Sequence, residues 1–183
     1  MTGMNKEDME DLRYPIGRFT APEVFSEADN LDRIAEIERF PGELAEAVAG
    51  LSADQLDTAY RPGGWTLRQV VHHLPDSHLN AYARFKLALT EDNPVIRPYR
   101  EDLWAETAEA REGEVQLSLD LLGGLHRRWA ALLKSLSPAD FGRTYYHPEN
   151  LQTFRLDTVL ALYVWHCRHH LAHITGTVRR HGW

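Results

Sequence analysis

The chain of 183 residues has the length of one ordinary domain, and 43% hydrophobic with 26% charged residues are the proportions of a soluble globular protein. Twenty Lys+Arg against 27 Asp+Glu leave a formal net charge of −7, which argues against a nucleic-acid binder, because phosphate neutralisation needs a basic face. The longest apolar run, Val159 to Trp165, falls far short of the roughly 20 residues that cross a bilayer.

Residues 1–12 are acidic and lack the apolar stretch of a secretion signal, so a mobile tail is expected there, followed by a single helical domain over 13–183. Pro15, Gly17 and Pro22 stand among apolar side chains, which suits an extended arm over 13–26 lying on the body. Ile34, Ile37, Phe40, Leu44 and Val48 recur at helical spacing and predict a first helix from about Ala28 to Leu51, broken or kinked at Pro41. Ser52-Ala-Asp-Gln55 has the capping-box pattern and opens a short turn before the loop Arg61-Pro-Gly-Gly-Trp65. Thr66-Leu-Arg-Gln69 repeats that pattern and starts a long helix to about Thr90, interrupted at Pro75. A loop holding Pro94 and Pro98 leads to a third helix over about Glu114 to Leu136, in which close helix packing is the expected reason for Gly123-Gly124. Ser137-Pro138 begins another cap, an irregular segment follows through Gln152, and the last helix covers about Arg155 to Arg180, stopped by Gly182. Four long amphipathic helices without strand alternation predict an all-α four-helix bundle, with connections long enough to cross over.

Ten histidines are unusual in a chain of this length, and seven of them fall in two short segments. The last helix carries His166, His169, His170 and His173. Two His at i and i+4 stand one above the other on a helix, so both imidazoles reach one cation. Taking about 100° per residue, His170 and His166 lie about 50° and 90° from the centre of the apolar stripe. On the same wheel His173 and His169 lie at roughly 110° and 150° and lean toward solvent. His166 and His170 are therefore the expected ligand pair. The segment His72-His-Leu-Pro-Asp-Ser-His78 supplies the rest from a different helix. There His72 faces away from the stripe, His73 borders it and His78 points into it, so geometry leaves both His73 and His78 open. A lone half-buried His is ordinarily a hydrogen-bonded core residue, but an i,i+4 pair facing a core needs partners for two imidazoles at once. His126, His147 and His181 are expected to be structural or surface residues. Cys167, the only cysteine, sits in the apolar stripe as an inert thiol, and its solitude points to a reducing cytosol.

Several segments together resemble the DinB-like superfamily, and within it the YfiT-type metal-dependent hydrolases. They are Tyr14-Pro-Ile-Gly-Arg-Phe19, Gly63-Gly-Trp-Thr-Leu-Arg-Gln-Val-Val-His-His73, Asp76-Ser-His78, Arg84-Phe-Lys-Leu-Ala-Leu-Thr-Glu91, His147-Pro-Glu149 and Trp165-His-Cys-Arg-His-His-Leu-Ala-His-Ile174. The likeness runs from about residue 13 to the C-terminus. It implies a four-helix bundle that holds one divalent metal ion through three His, which by position are His73, His166 and His170. Many relatives have Gln at the place of His173. The resemblance also implies a homodimer, with which Tyr14 and Phe19 of the arm are compatible. Zinc is the expected ion, and nickel, iron and manganese also accept imidazole.

Three neutral imidazoles leave a metal its full charge and at least one open position, which lowers the pKa of bound water to about 7. The first expected function is thus hydrolysis of a small molecule by metal-bound water, with Asp76 or Glu149 as general base. The second is thiol S-transfer, as in relatives that use low-molecular-weight thiols such as bacillithiol or mycothiol; Arg18, Arg61 and Arg84 are its candidate carboxylate anchors. The third is a non-enzymatic, metal-binding stress-response bundle with a closed coordination shell.

Overall fold

The computed structural model describes residues 6–183. The expected tail over 1–12 lies outside the described residues as far as residue 5, and from Lys6 the chain is helical, forming α1, Lys6–Arg13. Arg13 in its last turn meets the negative end of the helix dipole. Four long helices follow: α2, Glu27–Val48; α4, Leu67–Thr90; α7, Val115–Lys134; and α9, Leu156–His181. Short helical turns connect them: α3, Ala53–Leu56; α5, Glu101–Trp104; α6, Ala108–Glu112; and α8, Pro138–Phe141.

The chain announces several of these starts. Ser26, Ser52, Thr66 and Ser137 each accept from the backbone N–H three residues on, while the side chain at that position bonds back to the cap. Such a cap is worth about 1 kcal/mol. The last helix stops at Gly182, which takes φ +70°, a conformation that costs glycine little.

Helix α2 packs against α7 and α9, and so does α4. Consecutive helices α2 and α4 thus stand at opposite corners of the bundle, as do α7 and α9, and the connections cross its ends. Trp129, Phe40, Phe85, Leu74, Leu122 and Leu160 fill the interior.

The break expected at Pro41 and the interruption at Pro75 do not occur; both helices run through their proline. A proline inside a helix costs about 3 kcal/mol and leaves the carbonyl four residues back without its donor. For Pro41 that carbonyl belongs to Ile37, and the imidazole of His126 on α7 donates to it through Nδ1. Burial does the rest, since Ile37 and Leu44 on α2, and Val71, Leu74 and Ala81 on α4, have no exposed surface.

The expected irregular segment before α9 holds a small antiparallel hairpin, β1, Thr144–His147, and β2, Gln152–Arg155, with Thr144 opposite Arg155 and His147 opposite Gln152. Its periodicity is hidden because the strands are four residues each and only Tyr145 is fully buried. Tyr146 N–H bonds to Pro94 O and Ile96 N–H to Tyr146 O, which ties the proline loop to the hairpin. Close packing is not the reason for Gly123-Gly124: a Cβ at Gly124 meets nothing, and one at Gly123 meets only Arg127 Nη1 at 3.8 Å. Nothing in the structure explains that pair.

Candidate metal centre

The site lies where α4 and α9 face each other near the arm. His73 comes from α4, while His166 and His170 stand one turn apart on α9. One ligand atom from each lies within 4.8 Å of the other two. The Nε2 atoms of His73 and His166 are 3.2 Å apart, and the His166 and His170 ring centres 4.5 Å apart. Burial pushes the pKa of His73 down to about 4, with His169 adding to the effect. Burial likewise holds His166 and His170 well below the usual histidine value, helped by their neighbouring imidazoles. All three rings are therefore neutral at pH 7 and present lone pairs, the state that a divalent cation requires.

Of the two residues the wheel left open on α4, only His73 joins this trio. His78 is fully buried one layer deeper, with Nδ1 2.7 Å from His126 Nε2 and Nε2 3.1 Å from His166 Nδ1. His126, expected as a structural or surface residue, has no exposed surface and belongs to the core.

His169 and His173 do not lean toward solvent as the helix wheel implied; they are 7% and 3% exposed. The wheel counts only the bundle core, whereas α9 is also covered on its far side. Tyr14 approaches His169, Trp165 stacks on it with ring centres 4.5 Å apart, and Tyr60 stacks on His173 at 3.9 Å. The arm is held by Trp165 Nε1–H donating to Gly17 O and by Phe19 against the Trp165 ring. His169, His170 and His173 form a second group whose nitrogens lie within 4.8 Å of one another. His72 is buried as well, against Ser118 Oγ at 2.7 Å and Gly113 O at 3.2 Å. His147 is half-buried on β1, and His181 stacks on Trp183 near the C-terminus. Cys167 is buried, and desolvation raises its thiol pKa well above the usual value, so it is inert.

Two clefts reach the histidines. The larger, about 460 Å³, includes His166, Arg84, Tyr99, Glu101, His147 and Glu149 in its walls. The smaller, about 290 Å³, is bounded by Arg61, Trp65, Glu101, His169, His170 and His173 among others. Glu149, at the hairpin turn, thus opens onto the same cleft as His166. Asp76 lies elsewhere: one turn beyond His72, it is half-buried, and desolvation together with Glu109 on α6 raises its carboxyl pKa to about 6. Neither cleft has Asp76 among its walls. Glu101, which no periodicity or motif singles out, borders both clefts. Desolvation and the neighbouring Asp102 and Glu149 raise its carboxyl pKa.

Of the three candidate anion anchors, Arg18 is engaged by Glu10 and lies over the Tyr14 ring at 3.9 Å. Arg61 and Arg84 border one cleft each and make no ion pair among the described residues.

Residues 36–174 match the DinB superfamily. A protein of Bacillus mycoides is 53% identical over 176 residues, which are 96% of this chain and 100% of the relative. YfiT of Bacillus subtilis is 49% identical over 173 residues, 94% of this chain and 97% of its own. Both relatives are named putative metal-dependent hydrolases. The fold matches a solved structure of YfiT from Bacillus subtilis with a TM-score of 0.93 and 48% identity, covering 94% of this chain and 99% of that one. That structure is described as a probable metal-dependent hydrolase with an unusual four-helix bundle topology.

Proposed function

This chain belongs to the DinB superfamily, and from that premise we propose that it is a metal-dependent hydrolase of a small molecule, with one divalent ion held by His73, His166 and His170. The observation that carries the reading is the convergence of three neutral imidazoles from two helices, with His73 and His170 buried, His166 half-buried, and His166 and His170 opening onto one cleft each. The donor set fits a borderline ion, zinc first and nickel next, since imidazole suits both. Such an ion supplies Lewis acidity, polarising a substrate oxygen and bringing the pKa of a coordinated water toward 7.

The chain's own groups do the remaining work. Glu101 borders both approaches to the histidines, and desolvation raises its carboxyl pKa, the direction that makes a carboxylate a better proton acceptor. Glu149 shares the larger cleft and raises the pKa of Glu101 by its charge. Asp76 is assigned no proton transfer, because it is not among the walls of either cleft. Trp65 packs against His73 with ring centres 4.8 Å apart, which limits the orientation of that ring and keeps water from its outer side. The two clefts also favour a reactive centre over a closed, non-enzymatic one, since they give a reactant access.

A second reading, thiol S-transfer, is favoured by Arg61 and Arg84, which present cations in the two clefts to carboxylates of a low-molecular-weight thiol. Such chemistry suits a reducing cytosol, the compartment we assign. The deciding experiment uses zinc-loaded protein and an electrophilic ester or amide probe, with and without added thiol. Turnover without thiol, lost in His170→Ala, supports hydrolysis. Turnover that requires thiol overturns hydrolysis and establishes transfer.

A further inference from the structure

Five of the chain's histidines form two files of hydrogen bonds, each running from a backbone carbonyl to a residue of the trio. We propose that these files fix Nε2 as the ligating atom of both His166 and His170, which makes His126, His78 and His173 positioning residues of the metal centre. The inference rests on the reading of the trio as a metal site, but the direction of the hydrogen bonds follows without it.

The first file begins at Ile37, whose carbonyl has no helical donor because Pro41 occupies the position that would supply one. A carbonyl only accepts, so His126 Nδ1, in contact with it, carries the proton. Desolvation pushes the pKa of His126 down to about 4, so its ring is neutral and Nε2 is bare. The 2.7 Å contact between His126 Nε2 and His78 Nδ1 then requires His78 to donate. His78 has no exposed surface and no carboxylate partner among the described residues, so it is neutral and its Nε2 is bare to accept from His166 Nδ1 at 3.1 Å. With its proton committed at Nδ1, His166 presents a bare Nε2 beside the Nε2 of His73.

The second file begins at Arg13, the last residue of α1, whose carbonyl lies in a terminal turn that lacks helical donors. His173 donates to it from Nε2 at 3.1 Å. His173 is 3% exposed and pairs with no carboxylate among the described residues, so its ring is neutral and its Nδ1 is bare. Among the described residues, His170 Nδ1, 3.4 Å away, is the only partner with a proton to give. His170 Nε2 is thereby left bare, on a ring whose centre lies 4.9 Å from that of His73. Both files end with the same tautomer, reached from carbonyls on two different helices, α2 and α1. Metal-ligating histidines generally donate their second N–H to an acceptor that sets the tautomer and raises the basicity of the ligand. Here imidazoles serve as that acceptor.

The same geometry bears on the second His group. An ion held by His169, His170 and His173 through their Nδ1 atoms needs His170 Nδ1 bare, whereas the second file places a proton on it.

The test is long-range proton–nitrogen NMR of the full-length protein at neutral pH, metal-free and after addition of one equivalent of zinc. The expected result is a single tautomer at each site: Nδ1–H on His126, His78, His166 and His170, and Nε2–H on His173, in both samples. Zinc should then shift the Nε2 resonances of His73, His166 and His170. Nε2–H on His78 or His126, mixed tautomers in the metal-free protein, or binding of a second zinc equivalent at His170 Nδ1 overturns the proposal. Correct tautomers without any response to zinc at the three Nε2 atoms would instead defeat the metal-site reading alone. His173→Phe keeps a ring against Tyr60 while removing the acceptor for His170. It should lower zinc affinity about 10- to 100-fold and release His170 into two tautomers. Unchanged affinity with a single His170 tautomer overturns the second file.

Discussion

Pro41 on α2 and His126 on α7 are joined through one carbonyl: the proline strips Ile37 O of its helical donor, and the histidine replaces it. This pairing lets a 22-residue helix run unbroken through a proline and locates His126 in the core. It makes the two positions energetically interdependent.

His126→Leu should destabilise the protein by about 2–6 kcal/mol, because it orphans two buried groups, Ile37 O and His78 Nδ1, at roughly 1–3 kcal/mol each. Pro41→Ala restores a backbone N–H for Ile37 O. In the His126→Leu background it should therefore stabilise by about 1–3 kcal/mol more than in the wild type. Urea unfolding of the four proteins gives the coupling directly; additive effects would mean that the carbonyl is not the link.

Proton transfer in the clefts separates three carboxylates. Glu101→Gln should reduce kcat about 100- to 10,000-fold with a small change in KM. Asp76→Asn should leave kcat within a few-fold of the wild type, since that side chain lines neither cleft. Steady-state kinetics on the probe that the protein turns over will distinguish them, and a larger loss from Asp76→Asn would reverse the assignment. Glu149→Gln should lower the pKa of Glu101 by removing a like charge, moving the acid limb of the kcat–pH profile to lower pH.

The metal-free protein should be acid-sensitive. Its unfolded chain takes up a proton at His126 below about pH 6.5, while the folded protein does so only near pH 4. Between those values the unfolded state binds more protons, so stability rises with pH through the window and is lost as pH falls through it. Thermal unfolding from pH 7 to pH 4 should show a steep fall in Tm, and His126→Gln should flatten its slope over that range. A Tm independent of pH there would contradict a buried neutral His126.

Much of the bundle was legible because its signals are local. Ser52 and Thr66 mark their helices with capping boxes, and the stripe from Ile34 to Val48 has the period of a helix. The i,i+4 pair His166/His170 was equally local. The choice between His73 and His78 was not, because Pro75 obscured the register and only the packing of α4 on α9 separates an outer imidazole from an inner one. His169 and His173 were misplaced for a different reason. A helix wheel measures distance from one core, and these residues are covered by Tyr14, Arg13 and Tyr60 from segments remote in sequence. Glu101 had no signal at all, since an acidic residue in the connection between α4 and α7 becomes a cleft wall only through the path of that connection.

The most direct measurement is calorimetric titration of chelator-treated protein with zinc, for the wild type and for His73→Ala, His166→Ala and His170→Ala. One equivalent should bind to the wild type, and each substitution should abolish or greatly weaken that binding while His72→Ala leaves it intact. Wild-type binding in all three variants would show that these imidazoles do not hold a shared ion.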